Sequence, residues 1–144
     1  MAQQLTLDDA RQSLNSHVES KGAEIRAKYG PEIGWKELQG ILADSTCVRY
    51  PCRVVFDPAP LEPGEFALPV ARGERPDEGF DIHVHPFFMS DLDRVPPLVL
   101  YQLVVVNYGG FAGPDDAEAF GSAVLGIRRE DYYRGVCEAA DQVG

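Results

Sequence analysis

The chain has 144 residues, 44% of them hydrophobic, and a formal net charge of −10, a combination that suits one domain with a single core. Proteins bind nucleic acids and anionic membranes largely through lysine and arginine side chains, so a chain this acidic is a poor binder of either. No apolar stretch reaches the roughly 18 residues of a membrane span, so we expect neither nucleic acid nor a membrane as partner.

The cellular location is predicted from the N-terminus and the cysteines. The N-terminal sequence MAQQLTLDDARQ lacks the basic region and apolar core of a secretory signal. Cys47, Cys52 and Cys137 are an odd number of thiols, which suits a reducing compartment. We therefore expect a cytoplasmic protein, either a monomer or a homodimer.

The first predicted element is a helix that begins after Thr6, a capping residue with Asp9 at the capping-box offset. Gly30 and Pro31 form its stop signal. Gly22 costs about 1 kcal/mol relative to alanine in a helix, which allows a break there. A second, short helix follows, with an apolar face made of Trp35, Leu38, Ile41 and Leu42.

Three stretches then alternate between apolar and polar residues, which is the pattern of half-buried strands. They cover residues 47–57, 65–72 and 80–88. Pro51 cannot donate to a strand ladder, so the first strand is predicted to be an edge strand or to be bulged there. In the second, one face carries Phe66, Leu68 and Val70. We expect the three strands to form an antiparallel meander with one face on helices.

The most apolar stretch, residues 97–109, is predicted to be a helix, because Pro97 stands near its start and Gly109 at its end. It is apolar almost all round, so it should be the most buried element. Its polar residues Gln102 and Asn107 need hydrogen bonds if they are buried. They are expected to tie the helix to a strand or to line a pocket, and we favour the tie.

Two further helices complete the predicted fold, over residues 114–126 and 129–142. In the second, one stripe carries Tyr133, Val136, Cys137 and Ala140. The predicted fold is therefore α+β, a single domain over residues 1–144. About three antiparallel strands pack on a buried central helix, with amphipathic helices at both termini.

Asp81, His83 and His85 are candidate metal ligands, because alternate residues of a strand share one face. Two imidazoles and a carboxylate can bind zinc or another first-row divalent ion, and an open position would make the site catalytic. Cys52 becomes an alternative third ligand if a bulge at Pro51 turns the thiol to that face.

The same residues also suit the ordinary polar face of a strand. Arg49 and Arg53 occupy the polar side of the first predicted strand, so Asp81 has an arginine to pair with across the sheet. Such a surface pair contributes about 0–1 kcal/mol.

The string DIHVHP resembles the Asp-x-His-x-His signature of the amidohydrolase superfamily. That resemblance implies a metal-dependent hydrolase barrel in which His83 and His85 are ligands. The likeness covers only residues 81–86, however, and no histidine follows them to supply the family's other ligands. The chain is also too short for a barrel that needs roughly 200 residues or more, so this family is excluded.

The order of the predicted elements is similar to that of small zincin metallopeptidases, whose helix carries His-Glu-x-x-His-x-x-Gly. Ending that motif at Gly109 places Gln102 and Val106 at the histidines and Leu103 at the glutamate. The resemblance therefore implies a degenerate relative without activity.

Three functional hypotheses follow, and they leave open whether the protein is an enzyme. The first is a non-catalytic binding or interaction module with an unknown protein partner, because no complete catalytic constellation can be assembled from the sequence. The second is a small metal-dependent hydrolase that uses Asp81, His83 and His85. The third is a zincin-like domain without activity. No cofactor is predicted, except that the second hypothesis requires a divalent metal such as zinc.

Overall fold

A computed structural model describes residues 6–144, over which the chain forms five α-helices and a three-stranded sheet. The helices are α1 (Leu7–Tyr29), α2 (Trp35–Ala43), α3 (Val95–Tyr108), α4 (Pro114–Leu125) and α5 (Arg129–Gln142). The strands are β1 (Cys52–Val55), β2 (Ala67–Ala71) and β3 (Phe80–Val84). The predicted α+β fold is confirmed.

Helix α1 begins where the sequence predicts and runs unbroken through Gly22. Thr6 Oγ1 accepts a hydrogen bond from the Asp9 N–H at 3.1 Å, and the Asp9 carboxylate accepts one from the Thr6 N–H. Gly22 lies against α4, where an added Cβ would stand 2.7 Å from the carbonyl oxygen of Phe120. The glycine therefore brings two helices into close contact, and the break that it allows does not occur.

The sheet is mixed, with β3 in the centre, β1 parallel to it and β2 antiparallel to it. The expected antiparallel meander thus holds for β2 and β3 and is wrong for β1. The connection after β1 carries the chain to the far edge of the sheet, where β2 forms. The turn after β2 then inserts β3 between the two earlier strands, so β3 runs parallel to β1.

The register decides which residues face the core. Ile82 and Val84 of β3 are fully buried, and Ala67 of β2 pairs with Val84 on that face. Leu68 therefore shares the opposite, half-buried face with its register partner His83. The predicted apolar face is therefore divided: Phe66, just before β2, packs on Tyr101 of α3, whereas Leu68 lies on the face away from the core.

Within residues 6–144, each outer strand has one edge without a strand partner, which we call its free edge. Arg72 and His85 bond to backbone partners across the β2–β3 pair, so even-numbered residues of β2 point their backbone groups at β3. The backbone nitrogen of Pro69 therefore faces the free edge of β2. The missing N–H of this proline removes no hydrogen bond between β2 and β3. On β1, the backbone groups of Cys52 and Val54 face the free edge, because the Phe80 N–H donates to Pro51 O.

Helix α3 is the buried central helix that the sequence predicts. It packs on β2, β3 and α4, and nine of its residues are buried. Asn107, 8% exposed, ties its end to the segment that leads into β1. Its side-chain oxygen accepts from the Arg49 N–H at 2.9 Å, and its amide donates to Cys47 O at 3.4 Å. The favoured tie is therefore present at Asn107, but it joins the helix to the turn before β1 rather than to a strand.

The buried stripe of α5 is rotated from the predicted one, because among the predicted Tyr133, Val136, Cys137 and Ala140 only Val136 is buried. Tyr132, Val136 and Ala139 are buried, whereas Tyr133 is 55% exposed. The Tyr132 hydroxyl donates to Pro97 O at 2.6 Å, which anchors the helix on the start of α3. Tyr133 is therefore free to line a surface.

Within residues 6–144, no helix combines the length and the apolar character that crossing a bilayer requires.

Candidate functional site

The carboxylate of Asp81 is held by arginines rather than left open. Arg53, its register partner on β1, donates from Nε to the carboxylate at 2.7 Å, and Arg72 Nε lies 3.6 Å away. The Arg53 hydrogen bond lowers the pKa of the Asp81 carboxyl below its ordinary value. The pairing of Asp81 with an arginine of the first strand is confirmed.

The two histidines present different ring nitrogens. His83 Nδ1 lies 3.0 Å from Asp57 O, and because a carbonyl only accepts, the ring donates there; in the neutral form of the ring, Nε2 then carries the lone pair. His85 lies past the end of β3, and its Nδ1 accepts from the Phe87 N–H at 3.1 Å. A neutral His85 then carries its proton on Nε2, so it offers a metal no lone pair there unless this hydrogen bond breaks.

Cys52 lies on the opposite face of the sheet from Asp81 and His83, so it is wrong as an alternative third ligand. Its register partner is Phe80, and its thiol donates to Tyr50 O at 3.3 Å. Burial raises the pKa of this thiol to about 11. The bulge that would have turned it does not form, because β1 pairs regularly with β3 from Cys52 onward.

Residues 6–144 contain no group of three or more His, Cys, Asp or Glu side chains placed to hold a metal ion. Asp81, His83 and His85 as metal ligands remain a prediction. Elemental analysis of tag-free protein, beside a His83→Ala/His85→Ala double variant, tests it directly.

The zincin-like positions lie on α3. Leu103 and Val106, at the places of the motif's glutamate and second histidine, are packed in the core, and Gln102 is half-buried. This helix therefore serves packing at the positions where a peptidase would need chemistry.

A polar cleft of about 850 Å³ opens between α1 and the segment that enters α4. We call it the α1–α4 cleft. Its volume falls in the roughly 300–1,000 Å³ range of small-molecule sites. It is lined by Arg11, Gln12, Asn15, Ser16, residues 110–116 and Arg129.

The floor of the α1–α4 cleft is a connected hydrogen-bond network. Asp116 is only 9% exposed, and its carboxylate accepts from Asn15 Nδ2 at 3.1 Å and from the Gly113 N–H at 2.9 Å. Asn15 Oδ1 in turn accepts from Arg129 Nη2 at 2.8 Å. Burial of a carboxylate is costly unless such bonds are made, so these side chains are fixed in place.

The mouth of the α1–α4 cleft is less constrained. Arg11 makes no ion pair with any residue in the range 6–144. The ring of Phe111, on the short turn after α3, is 48% exposed. The cleft thus combines a rigid polar floor with a cationic group at its mouth.

A second concave surface, of about 440 Å³, lies beside the first and shares Arg129 with it. We call it the α4–α5 groove, lined by Glu118, Arg129, Glu130, Tyr133, Arg134 and Cys137. Burial, and then the negative charge of Asp115, raises the pKa of the Glu118 carboxyl. The surroundings of Glu118 therefore disfavour the ionised form of its carboxyl group.

Replacing Glu118 with glutamine is expected to increase stability near pH 7 relative to the wild type and to lose that advantage near pH 4. A carboxyl whose pKa is higher in the folded than in the unfolded protein makes its full contribution to stability below the unfolded-state pKa. That contribution is lost as the pH rises through the folded-state pKa. Urea denaturation at roughly pH 4 and pH 7 measures the difference. Glu138→Gln, at an exposed site on α5, is the control; an equal gain at both pH values would contradict the assignment.

Sequence reasoning missed both concave surfaces, because their residues come from segments distant in the chain. The signals that were present are the spacing of Arg11 and Asn15, which share a helix face, and the polar turn between Tyr108 and Pro114. Neither signal identifies its partners in α4 and α5 without the packing of α1 on α4.

No protein-family model, curated protein or solved structure matches the chain significantly. The fold and the side-chain geometry are therefore the basis for a functional assignment.

Proposed function

We propose that the protein is a cytoplasmic, non-catalytic binding module whose partner docks in the α1–α4 cleft. The observation that carries the proposal is the floor of this cleft, where Asn15 joins Arg129 to the buried Asp116. These fixed polar groups line a cleft of about 850 Å³, which has room for a small ligand and offers it defined hydrogen-bond partners.

The side chains around the cleft favour binding over catalysis. Its lining residues include no histidine and no cysteine, the groups that most often act as base or nucleophile. Elsewhere, burial raises the pKa values of the Cys47 and Cys52 thiols, whereas a nucleophilic cysteine needs a lowered pKa. Three unpaired cysteines support a reducing location such as the cytoplasm.

A tryptophan in place of Gln12 is expected to abolish docking without unfolding the protein, because the indole fills the mouth of the cleft from an exposed position on α1. At a ligand concentration about 100 times Kd, binding adds about 2.7 kcal/mol to the stability of the wild type. A thermal-shift screen of metabolites and short peptides against the wild type identifies binders, and Gln12→Trp should show no shift with them.

Gln39→Trp, on the exposed face of α2, is the matched control and should keep the full thermal shift. Ligands that stabilise Gln12→Trp as much as the wild type would place the binding site elsewhere. Catalytic turnover that disappears with a substitution in the cleft would make the protein an enzyme and refute the proposal.

A further inference from the structure

We infer that the α1–α4 cleft selects a ligand that carries a carboxylate, held between Arg11 and Arg129. This inference rests on the proposed function and adds the chemical class of the ligand to it.

Both arginines line the α1–α4 cleft, and one of them is bonded to Asn15. Arg11 and Asn15 are four residues apart on α1, so their side chains share one face of the helix. Arg129 reaches that face from α5, where its Nη2 donates to Asn15 Oδ1 at 2.8 Å and lies 3.3 Å from Glu19. One guanidinium group thus belongs to the floor network and the other lies at the mouth of the same cleft, and the planar fork of a guanidinium matches a carboxylate.

The pairing capacity that remains open in the cleft belongs chiefly to Arg11, because Arg129 already forms an ion pair with Glu19 at 3.3 Å. The buried Asp116 already accepts from Asn15 and from the Gly113 N–H, so the protein itself satisfies this carboxylate. The Gly113 bond also occupies a donor at the start of α4, so the arginines and not the helix end supply the positive groups. Arg11 has no ion pair within residues 6–144.

Negative charge elsewhere favours a singly charged ligand. Asp115 lines the same cleft, and the chain carries a formal net charge of −10. Both repel a dense anion such as a phosphate dianion more than they repel one carboxylate. The contacts with the two arginines must therefore overcome this repulsion, and we expect dissociation constants in the millimolar range for a small carboxylate.

A matched pair of probes tests the inference on the full-length chain. N-acetylglycine carries one carboxylate, and N-acetylglycinamide has the same shape without the charge. In an amide NMR titration, N-acetylglycine should shift the signals of Asn15, Gly110 and Gly113, and the neutral amide should bind at least about tenfold more weakly. Inorganic phosphate, titrated in parallel, should also bind more weakly than N-acetylglycine.

Arg11→Gln is expected to weaken the binding of N-acetylglycine about tenfold or more, because a charged hydrogen bond to the ligand is removed. Arg134→Gln is the control, since it removes the same charge from the neighbouring α4–α5 groove, and it should leave the affinity nearly unchanged. Both positions are exposed, and circular dichroism checks that both variants fold.

Each contrary result has a distinct meaning. Equal binding of N-acetylglycine and its amide in the cleft would overturn the carboxylate inference and leave the proposed binding function standing. Tighter binding of phosphate, or equal losses in Arg11→Gln and Arg134→Gln, would also overturn it. No shift of the cleft signals with about 50 mM of any probe would overturn it as well. The binding function would then be judged separately, by the Gln12→Trp screen.

Discussion

Replacing Gly22 with alanine is expected to lower the free energy of unfolding by about 1–3 kcal/mol, although alanine is the better helix former. The added methyl group would lie 2.7 Å from the carbonyl oxygen of Phe120 and 2.8 Å from the Cβ of Ala123. A backbone oxygen cannot turn aside as a side chain does, so α1 and α4 must separate. Urea denaturation followed by circular dichroism measures the loss.

The same substitution at Gly135 is the matched control. Gly135 lies in the middle of α5, is exposed, and has no atom within 4 Å of the position that a Cβ would take. Gly135→Ala should therefore raise stability by about 0.5–1 kcal/mol through helix propensity alone. If both substitutions stabilised the protein, the close contact between α1 and α4 would be wrong.

Replacing Asn107 with leucine is expected to cost about 1–3 kcal/mol of stability, because the Arg49 N–H and the Cys47 carbonyl lose their partner. Leucine has the same branched four-atom side chain as asparagine but is bulkier and cannot form hydrogen bonds, so the loss combines the missing hydrogen bonds with some overpacking. Equilibrium unfolding in urea provides the measurement.

Gln102→Leu is the control for Asn107, since it makes the corresponding change on the same helix. Gln102 is half-buried, and no side-chain hydrogen bond is observed for it within residues 6–144. This variant should change stability little. Similar losses at the two positions would mean that Asn107 contributes no more than any polar residue of α3.

The helices were predictable because their signals are local. The capping pair of Thr6 and Asp9, and Pro97 with Gly109, mark helix ends within a few residues of sequence, and the structure has helices there. The direction of β1 was not predictable in this way. It depends on which strand lies beside it, and β3, its partner, comes after β2 in the chain.

The candidate site shows the same division between local and distant signals. Alternation along a strand was enough to predict that Asp81 pairs with an arginine such as Arg53. It could not show that the chain leaves β3 at Val84 and turns, which gives His85 the Phe87 N–H as partner. The α1–α4 cleft needs Asn15, Asp116 and Arg129 together, and only the packing of three helices brings them into contact.

Pro69 has a consequence for how the protein behaves at high concentration. A fibril built by strand addition needs two usable edges on every sheet, one to receive a strand and one to offer the next. Pro69, in the middle of β2, has no N–H to offer at the free edge. A strand pairing there would therefore keep one of its own carbonyl groups without a hydrogen bond. Edge-to-edge strand pairing between copies is then confined to β1, and two copies joined there form a closed pair that cannot grow.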